Sequence, residues 1–225
     1  ACVENHAQAG VECAEAGAAS AGTGRGGDPA VAQPGVGQDK KTAIEGDWDI
    51  LWLDESGFML QPVVRRTWAP SGKTPIHYSW DRHDRISVCG GLKVAPDLTQ
   101  PQVFFELWQQ NLTAEQIITY LKAVHQETRR KMIVIMDRWS GHRKAARLLL
   151  AEGVDWLKVE WLPAYAPDLN PVELLWGHTK YADLANYIPE DILALHQAVT
   201  DSIQAAGQDA DLLMAFVRHT HLDLL

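Results

Sequence analysis

Trp161-Leu162-Pro163-Ala164-Tyr165-Ala166-Pro167-Asp168-Leu169-Asn170-Pro171-Val172-Glu173-Leu174-Leu175-Trp176 reads as the end of a strand, a proline-stiffened turn and a helix opening at Asn170. Asn is a favoured N-cap because its side-chain oxygen accepts an orphan backbone N–H. Pro171 falls at the first helical position, where its missing N–H costs nothing. Glu173 then stands at N3, where the helix dipole favours a negative charge. One carboxylate is thereby fixed beside a helix start. Working outward, Asp54 and Asp137 each close a short apolar run that reads as a buried strand: Asp49-Ile50-Leu51-Trp52-Leu53-Asp54 and Met132-Ile133-Val134-Ile135-Met136-Asp137. Three carboxylates on three stiff elements are what a divalent-metal phosphoryl-transfer site needs.

The remaining chain supplies the frame. Phe58 to Trp68 reads as a second strand, ending in the polar turn Ala69-Pro70-Ser71-Gly72-Lys73. Ile86–Val94 reads as a third, with Gly90 and Gly91 marking a bulge or a close approach, and Val103–Leu107 as a fourth. Thr113 starts a helix whose apolar residues Ile117, Leu121 and Val124 recur at helical spacing. Ser140 can cap a helix running to Gly153, Trp156–Leu162 is a further strand, and helices follow at Pro171–Tyr181, Pro189–Ala206 and Ala210–Arg218. Early strands followed by alternating strands and helices predict an α/β fold with a mixed sheet flanked by helices. Residues 1 to about 40 are dominated by Ala and Gly, show no period, and bury too little to offset their ordering entropy.

Composition narrows the classes. With 225 residues and 46% hydrophobic content the chain can bury one sizeable core. No apolar run approaches the roughly 18–20 residues that span a bilayer, and no basic region followed by an apolar one marks a secretory signal. Cys2, Cys13 and Cys89 are too few for a disulfide framework or a zinc cage and read as reduced cytoplasmic thiols. The net charge of −9 is unevenly spread: residues 60–147 hold 14 basic and 7 acidic residues, whereas 1–59 hold 3 and 10 and 148–225 hold 3 and 12. A basic middle in an acidic chain suits a polyanion-binding face, or an ordinary solvated surface.

Each acid has a plain alternative. Asp54 could end a strand and cap a turn, Asp137 could be an N-cap-like turn residue, and Glu173 could only serve a capping arrangement with Asn170. Strand alternation sends Asp54 and Glu55 to opposite faces, so only one of them is expected in a given site. The order and wording of the motifs weigh more than any one acid. Asp54-Glu55-Ser56-Gly57-Phe58, Arg65–Pro75, Asp137-Arg138-Trp139-Ser140-Gly141-His142-Arg143 and Tyr165–Trp176 together resemble the catalytic domain of DDE transposases, in particular the mariner-like superfamily and its bacterial insertion-sequence relatives. The resemblance covers about Trp48 to the C-terminus, and 35 residues separate Asp137 from Glu173, close to the family's own spacing.

This resemblance implies a ribonuclease H-like fold over residues 41–225. It implies that Asp54, Asp137 and Glu173 are the catalytic residues and the ligands of two Mg²⁺ ions, with Mn²⁺ able to substitute. It further implies metal-dependent DNA cleavage and strand transfer in cut-and-paste transposition, acting on transposon ends and target DNA. A homodimer and a cytoplasmic, nucleoid-associated location in a bacterium accompany it, with no membrane partner. Arg65, Arg66, Lys73, Arg138, Arg143 and Lys144 are candidate DNA-phosphate contacts. His142 matches a family His that positions the turn after Asp137. Trp68, Trp139 and Trp176 are expected to pack in the core rather than stack on bases.

Two departures qualify the match. Gly141 replaces a branched apolar residue, and no helix-turn-helix module precedes the catalytic segment, so the chain alone is not expected to recognise terminal repeats. An out-of-frame reading would explain residues 1–40: codons for Asp28–Gly37 shifted by one nucleotide can give a polar helical segment, and Lys40-Lys41 can come from an adenine slip site. The alternatives in function are a remnant or regulator without its DNA-binding modules, and a related nuclease that only cleaves.

Overall fold

The computed structural model describes residues 46–73, 76, 78, 84–164 and 166–220. The segment 1–40 and the expected domain start at residue 41 lie outside them. Five strands form one sheet: β1 (Asp49–Met59), β2 (Arg85–Val94), β3 (Gln102–Trp108), β4 (Met132–Met136) and β5 (Leu157–Trp161). Helix α1 (Ala114–Thr128) links β3 to β4, and α2 (Ser140–Ala151) links β4 to β5. A 3₁₀ turn at Pro167–Leu169 leads into α3 (Pro171–His178), a π-helical turn (Thr179–Asp183), α4 (Ile192–Gln208) and α5 (Ala210–His219).

The strand order is β3-β2-β1-β4-β5. β1 pairs antiparallel with β2, and β2 with β3; β1 pairs parallel with β4, and β4 with β5. This is the mixed sheet expected from the sequence. Helices cover both faces, which is why β1 and β4 read as continuous apolar runs. On one face Ile50, Trp52, Ile133 and Ile135 pack against Val172, Leu175 and Trp176 of α3 and against Val199, Ile203 and Leu213 of α4 and α5. On the other, Leu51, Leu53, Val134 and Met136 meet Ile117 and Leu121 of α1 and Ala145 and Leu149 of α2.

The glycines of β2 are close approaches and not a bulge, since the register runs unbroken through Leu53↔Gly91 and Asp54↔Gly90. A Cβ on Gly90 would lie 2.5 Å from the Trp176 ring, and one on Gly91 would lie 2.7 Å from Leu51 and 2.8 Å from the Tyr120 hydroxyl.

Several sequence expectations shift. Phe58 to Trp68 is not a strand: β1 absorbs Phe58 and Met59, and the chain beyond is extended, with a lone bridge from Val63 to Ala185. Pro62 removes a ladder donor there, and the residues after Val63 are exposed. Trp68 is fully exposed at 100%, not in the core; Trp176 is buried and Trp139 half-buried. Ser140 is the first residue of α2 and not its cap, because Asp137 Oδ1 accepts the Trp139 N–H at 2.9 Å and starts the turn earlier. The helix expected from Pro189 starts at Ile192, where the Asp191 side chain accepts the Ala194 N–H at 2.8 Å. Cys89 is a buried free thiol.

Candidate active site

The parallel register sets the site. Trp52 lies opposite Ile135 in the β1–β4 ladder. Two residues further along each chain are Asp54 and Asp137, so strand period alone carries both acids to the same level at the carboxyl end of the parallel pair. Open α/β sheets bind their ligands at that end. Glu173 arrives from α3. Asn170 fixes that arrival twice over: its Oδ1 accepts the Val172 N–H at 3.2 Å as N-cap, and its Nδ2 donates to the Leu53 carbonyl at 3.3 Å. The helix start is thus tied to the residue before Asp54.

Asp54 is buried at 8% exposure and accepts the Trp176 Nε1–H at 3.0 Å. Its carboxyl is pushed up to about 8, by burial first and then by the charges of Glu173 and Glu55; the Trp176 hydrogen bond opposes this. Glu173 is likewise raised, by burial and by Glu55 and Asp137, with Lys180 pulling the other way. Asp137 is held below the usual carboxylate range, chiefly by its hydrogen bond with His142.

His142 is buried at 0% exposure and stands between two acids. Its Nδ1 is 2.6 Å from Asp137 Oδ1 and its Nε2 is 3.2 Å from Glu55 Oε2. Burial works against its charge, but the hydrogen bond to Asp137 and the nearby charges of Glu55 and Asp137 outweigh it and push the imidazole up to about 9. Glu55 does face away from Asp54, as alternation requires. It nevertheless meets His142, which in turn meets Asp137, so both acids of the pair border the same cluster.

The candidate phosphate contacts divide. Arg138 and Arg143 are exposed beside Asp137 and on the first turn of α2. Arg65 lies over the Tyr181 ring, 4.6 Å from its centroid, and with Arg66 lines a groove of about 650 Å³. Lys73 is exposed in its turn. Lys144 is engaged elsewhere, 2.6 Å from Glu115 Oε1 on α1.

Residues 49–194 match the family model of the DDE superfamily endonucleases. The chain belongs to this family. Three solved structures resemble this chain in fold. The Mos1 mariner paired-end complex with Mn aligns over 81% of this chain and 55% of its own, with a TM-score of 0.57 at 19% identity. The mariner Mos1 paired-end complex with Mg covers 88% and 64%, with a TM-score of 0.54 at 15% identity. The Mos1 strand transfer complex covers 81% and 54%, with a TM-score of 0.56 at 16% identity. The shared fold is the ribonuclease H-like one expected from the sequence motifs. The chain spans about half the length of the first of these proteins. No curated protein sequence matches it.

The acidic cluster fits a hard divalent cation by its chemistry: the donors are carboxylates, the charges of Glu173 and Glu55 raise Asp54, and those of Glu55 and Asp137 raise Glu173. Among the described residues no three or more His, Cys, Asp or Glu already form an ion cage. Mg²⁺ needs none, since it keeps several waters and binds through one or two carboxylates plus phosphate oxygens.

Sequence reading missed two charged neighbours of these acids. Glu55 was set aside by alternation, and Lys180, seven residues after Glu173, carried no local signal beyond that helical spacing. No helix among the described residues is long and apolar enough to cross a membrane.

Proposed function

We propose that this chain is the catalytic domain of a transposase that cleaves DNA and transfers the freed strand in cut-and-paste transposition. The carrying observation is the β1–β4 register, which levels Asp54 with Asp137 beneath the capped helix that presents Glu173. Asp54, Asp137 and Glu173 would hold two Mg²⁺ ions, with Mn²⁺ as a substitute. Such a pair supplies activation of the attacking oxygen and stabilisation of the leaving oxygen in an in-line displacement.

The protein's own part is positioning. Trp176 holds Asp54, His142 holds Asp137, and Asn170 holds the helix start of Glu173. Water attacks the scissile phosphate and frees a 3′-hydroxyl, which then attacks target DNA; no covalent enzyme adduct is needed. Arg65, Arg66, Lys73, Arg138 and Arg143 would steer and seat the sugar–phosphate backbone. The DNA partners are transposon ends and target, and a homodimer would bring two ends together, as the paired-end complexes of Mos1 do for that protein.

The test is metal-dependent nicking of plasmid DNA, together with joining of a pre-cut duplex that carries a free 3′-hydroxyl, compared with Asp137→Ala. Nicking and joining that need Mn²⁺ or Mg²⁺ and vanish in the variant are expected. Nicking without joining would reduce the protein to a nuclease, and neither activity would overturn the proposal.

A further inference from the structure

The strap between β1 and β2 leaves the sheet at Met59 and carries Arg65 and Arg66. Leu60 N–H donates to the Asp84 carbonyl at 3.1 Å, and Pro62 has no N–H to give. The next fixed point is Asn186. Its N–H donates to the Val63 carbonyl at 2.9 Å, and its Oδ1 accepts the Arg65 N–H at 2.8 Å. In a parallel ladder a residue straddles its neighbour in this way, bonding through its N–H and C=O to the residues on either side. Asn186 straddles Val64, with its side-chain oxygen standing in for a backbone carbonyl. The parallel bridge from Val63 to Ala185 has the same sense. Asn186 itself is left-handed at φ 60°, a conformation that Asn tolerates better than most residues. The chain therefore turns away there, and one amide side chain completes a ladder of a single residue.

The clasp is held from behind. Leu184 N–H donates to the Thr179 carbonyl at 2.9 Å, Tyr187 N–H to the Leu184 carbonyl at 3.2 Å, and Ser202 Oγ on α4 to Asp183 Oδ2 at 2.7 Å. Thr179 is buried. Asn186 thus joins the strap to a turn that is tied to α4 and to the end of α3.

What the clasp holds is basic. The Arg65 guanidinium lies 4.6 Å from the centroid of the half-exposed Tyr181 ring, and Arg66 lines the same groove of about 650 Å³. No Asp or Glu lines that groove among the described residues. Long side chains lose rotamer freedom when they bind, and a fixed backbone beneath them lowers that cost.

We propose that Asn186 is a positioning residue for anion binding: it clasps Val63–Arg65 to the turn after Asp183, so that Arg65 and Arg66 meet a phosphodiester strand from a fixed place. The proposal rests on the transposase reading for the identity of that strand as DNA.

The experiment compares wild type with Asn186→Gly and Asn186→Asp in the full chain. Gly keeps the left-handed backbone and the N–H to Val63 but removes the acceptor for Arg65, whereas Asp keeps an acceptor in its place. Trypsin must draw the chain around its cleavage site into its own cleft, so cutting after Arg65 and Arg66, read by mass spectrometry, reports release of the strap. Asn186→Gly should be cut there about fivefold faster or more, and Asn186→Asp at the wild-type rate. Affinity for a fluorescent duplex in Ca²⁺ is measured for Asn186→Gly alone and combined with Arg65→Ala and Arg66→Ala. Asn186→Gly should weaken binding about fivefold or more in the wild-type chain and change nothing in the chain without the two arginines. Mn²⁺ affinity without DNA should stay at the wild-type value, which a general loosening of the fold would lower.

Equal cutting of wild type and Asn186→Gly overturns the proposal. So does a binding loss that persists without the arginines, a fall in Mn²⁺ affinity, or a wild type that binds no duplex. A wild type that binds the duplex but never nicks would defeat the transposase reading, and the same cycle would still decide the clasp.

Discussion

The indole N–H of Trp176 and the carboxylate of Asp54 lie 3.0 Å apart in a hydrogen bond that pins the Glu173 helix to the Asp54 strand. Trp176 is also buried against Phe58, edge to face at 6.4 Å, and against the bare backbone of Gly90. One side chain therefore sets both the packing of α3 and the position of Asp54. Trp176→Phe should keep the fold but lower the unfolding free energy by roughly 2–4 kcal/mol, from the lost bond to a buried carboxyl and the space left behind. Urea denaturation measures it, and an unchanged midpoint would deny Trp176 this role.

Gly90→Ala should destabilise by about 1–3 kcal/mol, because its Cβ would come within 2.5 Å of a ring that cannot retreat without breaking the Asp54 bond. Gly57→Ala is the matched control. A Cβ at Gly57 meets nothing within 4 Å, and Ala in a strand is favoured over Gly by roughly 0.5–1 kcal/mol. Opposite shifts in Tm are expected from the two variants.

Asn170 separates capping from tethering. Asn170→Ser keeps an N-cap oxygen but loses the bond to the Leu53 carbonyl, whereas Asn170→Ala loses both. The expected stability order is Asn above Ser above Ala, with steps of about 1 kcal/mol each. Equal values for Ser and Ala would show that the cap contributes nothing.

Without added divalent cation, stability should fall as pH rises from about 4 to about 9. Asp54, pushed up to about 8, keeps its proton in the folded state while the unfolded chain releases it near 3.8, so folding binds protons across that window. His142 acts in the same direction: raised from 6.5 to about 9, it contributes fully below 6.5 and loses that contribution as pH rises through about 9. Asp137, held low by His142, opposes them only at acid pH. Thermal scans in EDTA should show Tm declining from pH 6 to 9, and millimolar Mg²⁺ should flatten the decline. A Tm that rises over this range in EDTA would contradict the account of the acidic centre.

The legible parts of this sequence were those governed by local rules. The Asn170-Pro171 start and Glu173 at N3 follow from capping chemistry, and the acids at Asp54 and Asp137 stand out because each ends a run buried on both faces. Phe58–Trp68 misled because Val63 and Val64 carry strand propensity, yet Pro62 breaks the ladder and no partner strand runs alongside among the described residues. Trp68 looked like core by type alone, and burial depends on what tertiary neighbours arrive. Glu55 was invisible as a neighbour of the cluster because its link is His142, from a helix 87 residues downstream. Lys180 was missed because a π-helical turn has no sequence signature comparable to a cap.

The most direct measurement is calorimetric titration of Mn²⁺ into wild type, Asp54→Asn, Asp137→Asn and Glu173→Gln, each first shown to be folded by circular dichroism. The shared-site account expects saturable binding in wild type and affinity lowered at least tenfold in all three variants. Wild-type affinity in any one of them would remove that residue from the site, and no Mn²⁺ binding by the wild type would contradict the central claim.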